Sequence, residues 1–268
     1  MRSLGERDFV AVDPSLFDGT CRQCRAGRFN LCESRNAIGV GTANGACAEF
    51  VAVPAANAFR LPDGIPRDWG ALVESLSCAV HGLDKIQLEL ARDYLIFGAG
   101  TMGLLLAQLV KRAGANRLDI VELNPGRHAL ATRLGADRVA TSATDLDRPQ
   151  GWDVVIDATG AVPAIEDGLG RVARGGAFLM FGVAKADVLA NFSPFRVYND
   201  EIKIIGSMAV LHSFERALAL LAGGSIDCES MVTNRFGLGE YQSAVETFVA
   251  GGGLKVLVTP GYEPGGVQ

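Results

Sequence analysis

The period of the apolar positions changes along the chain, and the changes mark its parts. Residues 8–13, Asp-Phe-Val-Ala-Val-Asp, read as a strand that Pro14 ends. From residue 45 to 62 the pattern is one of short alternating strands. The stretches 48–54 and 58–64 are bounded by Pro, Asn and Gly, as in a β-rich barrel or sandwich. Between 69 and 83 the apolar residues Leu72, Val73, Leu76, Val80 and Leu83 recur at helical spacing, and Glu74, Cys78 and His81 share another face of that helix. Beyond residue 93 the rhythm becomes strand and helix in turn. Predicted strands at 94–97, 118–121, 138–140, 152–156, 177–181 and 202–205 are separated by helical stretches, among them 104–110 and 125–134, closed by Gly114 and Gly135. This alternation predicts an α/β fold with a doubly wound parallel sheet, whose ligands lie beyond the strand C-termini. A helix at 214–221 follows. Residues 231–260 return to short strands around a helix at 241–249, and 261–268 read as an unstructured tail.

Composition narrows the class. The 268 residues are 49% hydrophobic and 21% charged, as in ordinary globular proteins, and suit one large or two modest domains. A net charge of −5 leaves no basic footprint for nucleic acid. No apolar run reaches membrane-spanning length and the first residues lack a signal-peptide core, so the expectation is a cytoplasmic protein without a membrane partner. Six cysteines in such a chain point to metal or buried thiols rather than disulfides, and there are only three histidines.

Two motifs carry chemistry. After the strand at 94–97, Gly98, Gly100 and Gly103 stand in G-x-G-x-x-G spacing, around Thr101 and Met102. The first glycine serves the tight turn, the second the approach of a pyrophosphate and the third the packing of helix on strand. The helix N-terminus offers free N–H groups to phosphate. Glu122 ends the next strand, 19 residues after Gly103, where a carboxylate accepts ribose hydroxyls and repels a 2′-phosphate, favouring NAD over NADP. Arg127 can reach the adenosine phosphate side, the alternative being a solvated arginine at a helix start, and His128 beside it reads as a surface residue. By their place at strand ends, Gly160, Phe181, Gly182, Val183, Ser207 and Met208 are further cofactor candidates. The second motif is Asp18, Cys21, Cys24 and Cys32. C-x2-C-x7-C with an acid three residues ahead offers four ligands to a structural zinc ion; the alternative is three loop cysteines without metal. For Cys78 and His81, packing beneath the sheet is the preferred reading over metal binding.

Together these motifs resemble the zinc-containing medium-chain alcohol and polyol dehydrogenases, in the sorbitol and threonine dehydrogenase branch. The resemblance runs from about residue 8 to 260. It rests on the cysteine lobe, Glu74-Ser-Leu-Ser-Cys-Ala-Val-His81, the glycine turn, Glu122-Leu-Asn-Pro-Gly-Arg127 and the closing Leu-Lys-Val-Leu-Val-Thr-Pro. It implies a GroES-like catalytic domain at residues 1–78 and 231–268, a Rossmann NAD domain at 79–230, NAD and Zn2+ as cofactors, and a homodimer or homotetramer. It also implies that Met102, Glu122, Arg127, Phe181 to Val183, Ser207 and Met208 touch NAD, and that Glu74 corresponds to a glutamate at the catalytic zinc. The sequence departs from the family at two places. Asp18 stands where most members carry a first structural cysteine, and no Gly-His-Glu motif occurs. The expectation is an NAD-dependent alcohol or polyol oxidoreductase with a truncated catalytic domain, impaired in turnover by the missing zinc ligands. The alternative is a non-catalytic NAD(H)-binding paralogue, and the cysteine lobe argues against a zinc-free quinone-type reductase.

Overall fold

Six short apolar runs form one parallel sheet. In the computed structural model, which describes residues 4–261, these are β1 (Asp93–Phe97), β2 (Arg117–Val121), β3 (Arg138–Ala140), β4 (Trp152–Asp157), β5 (Val172–Met180) and β6 (Lys203–Gly206). Their order is β3-β2-β1-β4-β5-β6, and every pair is parallel. Chain direction across the sheet reverses between β1 and β4, so the loops leaving these two strands diverge and open a crevice at their C-terminal ends. All five residues of β1 are buried, as expected of a central strand covered on both faces. Leu95, Phe97, Trp152, Val155, Ile165 and Phe178 form the core beneath one face. The helix α1 (Thr101–Arg112) follows β1 and buries every residue from Gly103 to Val110. Under the sheet Asp119 is fully buried. Its oxygens accept two bonds from Arg138, at 3.0 and 2.7 Å, and one from Trp152 Nε1 at 2.9 Å, tying β2, β3 and β4 together.

The strands agree with the sequence pattern, with differences at their ends. β5 starts at Val172 rather than 177, with a register irregularity against β4 between Trp152 and Val154. Helices at Val162–Arg171 and Pro194–Asn199 were not located by periodicity. The first carries Pro163, Gly168 and Gly170, which break its apolar period. Gly168 is needed there, because a Cβ would come within 2.8 Å of the Phe178 ring.

Contacts divide the chain into Ala79–Met208, which holds this sheet, and a unit made of residues up to Cys78 and from Ala209 onward. Residues 209–230, expected with the sheet, pack in the latter. The helix Phe214–Ala222 buries Phe214, Ala217, Leu218 and Leu221; Phe214 lies 4.6 Å from the Phe59 ring, and Ser213 shares a 2.8 Å hydrogen bond with Ser77. This unit contains short pairs: Val10–Val12 antiparallel with Ala58–Arg60, Ser15–Leu16 with Asn36–Ala37, and Val232–Gly237 parallel with Lys255–Thr259 around the helix Tyr241–Val249. The strand expected at 48–54 does not form. No described strand pairs with it and Phe50 is 91% exposed, so its alternation has no face to bury. The helix expected at 69–83 is a 3-10 stretch, Arg67–Leu72, followed by Val73–Asp84. Apart from Gly261, the tail at 261–268 lies outside the described residues. No described helix is long and apolar enough to cross a membrane.

Candidate dinucleotide site and metal centre

The crevice is built by glycine. Gly98 leaves β1 with φ +99°, and its amide donates to Val121 O at 2.7 Å, holding the turn against β2. Gly103 has no room for a Cβ, which would overlap the Gly98 carbonyl oxygen; the helix can sit this close to the strand only with glycine there. Gly100 is the N-cap of α1 and makes no side-chain cap bond, so the first amides of a 12-residue helix are left to a ligand. A Cβ on Gly100 would meet only Arg127 Nη1, at 3.9 Å, which places the guanidinium over the turn. A cavity of about 530 Å3 opens here, lined by Gly98, Gly100, Glu122, Arg127, Thr141, Ser142 and Thr159 among others.

Glu122 is buried at the end of β2. Its Oε2 accepts from Ala99 N at 2.6 Å and its Oε1 from Asn124 N at 2.8 Å, so one carboxylate straps the glycine turn to its own loop. His128 is half-buried, with Nε2 2.8 Å from Glu122 O, and so belongs to the same support rather than to the open surface. Across the crevice Asp157, fully buried, accepts from Thr159 N at 2.9 Å, Thr159 Oγ1 at 2.6 Å and Gly160 N at 3.0 Å. The loops after β4 and β5 then cross at Gly160 and Gly182, each so close to the other's backbone that a Cβ on either would overlap it.

Of the residues singled out from sequence, Gly98, Gly100, Glu122 and Arg127 line this cavity, whereas Thr101, Met102, Gly103, Phe181, Gly182, Val183, Ser207 and Met208 do not. Phe181 and Ser207 form a group of their own: Gly82 lets the Phe181 ring lie where its Cβ would be, with Ser207 Oγ beside it. That hydroxyl is buried and has no partner among the described residues. Periodicity and spacing missed Asp157, Thr141 and Ser142. Asp157 was visible as the acid of Asp-Ala-Thr-Gly at a strand end, and the other two carry no signal beyond following β3.

In the other unit Asp18, Cys21, Cys24 and Cys32 converge, with ligand atoms all within 4.8 Å of one another. The donor set suits zinc: four tetrahedral ligands at about 2.0–2.3 Å keep each other at about 3.5–3.8 Å. The amides of Cys21 and Thr20 hold the Asp18 carboxyl well below the usual carboxylate range. Burial, and then its Cys21 and Cys32 neighbours, push the Cys24 thiol up to about 12, while the Cys24 and Glu33 amides lower Cys21. Among the described residues no second group of three such ligands gathers. Glu74 is half-buried and its Oε1 accepts from Cys78 Sγ at 3.2 Å. The thiol of Cys78 is raised first by burial and then by that carboxylate. His81 is buried. Lys255 stands 3.4 Å from Ser75 Oγ, and burial lowers its ammonium against the counter-pull of Glu74. The sequence pattern gave no reason to single it out.

Residues 101–223 match the family model of the zinc-binding dehydrogenases, and residues 3–63 match that of the alcohol dehydrogenase GroES-like domain. A D-arabinitol dehydrogenase of Uromyces fabae is 37% identical over 267 residues, 94% of this chain and 75% of that protein. The chain belongs to the zinc-binding alcohol dehydrogenase family. An L-threonine 3-dehydrogenase of Rhizobium rhizogenes is 32% identical, over 95% of this chain and 75% of its own length. Among solved structures, a protein of Sinorhizobium meliloti described as a zinc-binding dehydrogenase and bound to NADP superposes with a TM-score of 0.92 at 30% identity, covering 97% of this chain and 79% of that one. The 2R,3R-butanediol dehydrogenase of Bacillus subtilis gives 0.84 at 25% identity, covering 94% and 74%. As a family member the chain is an oxidoreductase acting on alcohols or polyols, with a Rossmann domain and a GroES-like domain.

Proposed function

We propose that this chain binds NAD(H) in the crevice between β1 and β4 as part of a dehydrogenase for a secondary alcohol or polyol, in the cytoplasm. The observation that carries the reading is the strapped glycine turn: a helix N-terminus with open amides, Arg127 above it and Glu122 at its rim. The first amides of α1 hold the pyrophosphate and the Arg127 guanidinium adds positive charge there. Each Glu122 oxygen accepts one amide in the crevice, so its remaining lone pairs serve the ribose hydroxyls. Its charge disfavours a 2′-phosphate. Phe181, Gly182, Val183, Ser207 and Met208, at the ends of β5 and β6, flank the nicotinamide half. In the family's reaction the dinucleotide would supply the hydride acceptor and a catalytic zinc ion would supply the charge that polarises the alcohol oxygen. Of that ion's ligands this chain offers Glu74, around which no three-ligand group gathers among the described residues. The Asp18, Cys21, Cys24 and Cys32 lobe holds a structural zinc ion.

Fluorescence titration tests the reading. NADH is expected to bind at least about tenfold more tightly than NADPH, about 1.4 kcal/mol; the reverse order, which the NADP-bound relative makes a real alternative, would overturn the assignment of Glu122. Glu74 is the residue matched to a catalytic-zinc position, and Lys255 and Cys78 are its neighbours. Among the described residues no group of three metal ligands forms around Glu74, which favours dinucleotide binding without fast turnover. Oxidation of sorbitol or threonine by the purified chain at the rate of a zinc-binding relative would refute that. We also infer that β6, at the edge of the sheet with Ile204 partly exposed, pairs with a second copy.

A further inference from the structure

Three thiols and one carboxylate make an uneven ligand set, and the two oxygens of Asp18 are not in equivalent surroundings. Oδ1 accepts from Thr20 N at 2.6 Å, Cys21 N at 2.8 Å and Thr20 Oγ1 at 3.2 Å. Oδ2 has a single partner, the Cys32 thiol at 3.2 Å, and the Asp18 amide itself points at the same sulfur from 3.4 Å. We propose that Asp18 divides its carboxylate between two tasks: Oδ1 locks the loop into shape without any metal, and Oδ2 alone completes the coordination of a zinc ion.

This rests on the reading of the lobe as a zinc centre and adds to it. A carboxylate oxygen has about two lone-pair directions, so three donors saturate Oδ1 and leave no bidentate mode. Oδ2 is different, because what it accepts now is a proton the metal replaces. On binding, the Cys32 S–H bond breaks, the proton leaves to solvent, and bonds form from the metal to Sγ and to Oδ2. A tetrahedral centre with Zn–S near 2.3 Å and Zn–O near 2.0 Å separates such a pair by about 3.5 Å. The present 3.2 Å therefore has to open by about 0.3 Å, a side-chain adjustment that leaves the Oδ1 bonds in place. A cysteine at this position would be a softer ligand, yet its sulfur could not take up the short bonds to Thr20 and Cys21. The aspartate trades some metal affinity for a loop that stands ready, whereas small zinc lobes are commonly unfolded until metal arrives.

The test uses the whole chain and the variants Asp18→Asn, Asp18→Cys and Asp18→Ala, with zinc and cobalt(II) as probes. Hydrogen exchange in zinc-stripped protein reads the lock. The Thr20 and Cys21 amides are expected to exchange at least about tenfold more slowly in the parent chain and Asp18→Asn than in Asp18→Ala or Asp18→Cys. Competition with a chromophoric chelator reads the ligand. Asp18→Asn, which keeps the acceptor and loses the charged oxygen, is expected to bind zinc at least about 100-fold more weakly, more than loss of a supporting group costs. Thiolate-to-cobalt absorption is expected to rise by about one third in Asp18→Cys, four thiolates replacing three. Unchanged zinc affinity in Asp18→Asn would remove Oδ2 from the coordination sphere, and fast exchange at both amides of the zinc-free parent would remove the lock. Failure of the parent chain to bind either metal would instead strike the zinc reading itself, and the proposal with it.

Discussion

Gly103 shows how little freedom the turn has. A Cβ there would overlap the Gly98 carbonyl oxygen, and neither backbone can retreat, because Gly98 is bonded to Val121 and α1 is buried along eight residues. Gly103→Ala is expected to destabilise the Ala79–Met208 unit by about 3 kcal/mol, read as a fall in urea midpoint, and to abolish NADH binding. Glu122→Gln is a gentler probe. One of its two amide partners would face an NH2 group, at a cost of about 1–3 kcal/mol, and NADH affinity is expected to fall together with the discrimination against NADPH. Asp119→Ala removes the acceptor of the Arg138 and Trp152 bonds; a loss of about 3–5 kcal/mol in chemical denaturation is expected, with no specific effect on the dinucleotide. At this scale the sequence was legible where backbone geometry demands a residue type. Glycine spacing and the acid ending β2 could be read because both are local. Lys255 could not, since its partner Ser75 lies 180 residues away and nothing near Lys255 announces it.

Elements were legible in proportion to their regularity. The central strands β1 and β4 could be placed because strands buried on both faces are continuous apolar runs, and the partly exposed edge strands β3 and β6 by the alternation of strand and helix around them. The helix Val162–Arg171 was hidden by Pro163, by Gly170 and by Gly168, the last of which its packing requires, and alternation at 48–54 cannot say whether a partner strand exists. Loops between elements add a pH-sensitive tie. Glu166, on that hidden helix, accepts from Asn191 N at 2.7 Å and Asn191 Nδ2 at 3.0 Å, and these bonds lower its carboxyl from 4.5. Between the folded and unfolded values the unfolded chain binds more protons, so stability rises with pH through that window. The contribution is complete above 4.5 and is lost as pH falls from there through the lowered folded-state value. The melting-temperature difference between the parent chain and Glu166→Gln is accordingly expected to shrink as pH falls through that range; a difference independent of pH would show that the tie carries no charge dependence.

For the whole molecule, the sheet has two edges, and β6 is the one with an apolar side chain on offer. Replacing Ile204 by Lys is expected to shift the protein toward the monomer in light scattering while leaving NADH affinity within about twofold, since an edge charge opposes strand pairing between copies. The division at Met208/Ala209 was not legible from the alternation of strand and helix. The helix after it keeps the same apolar period, and only its contacts with Phe59 and Ser77 assign it to the other unit.

The crossing of the loops at Gly160 and Gly182 has a consequence for how such a protein can change. Neither crossing position tolerates a methyl group, yet immediately beside them Val183 is 92% exposed, and at the facing rim Leu123 is 80% exposed. The threads are fixed and their fringe is not. Mutational drift, or a designer's library, would therefore find its freedom to remodel nucleotide preference at those two outward side chains, and a closed door one residue further in.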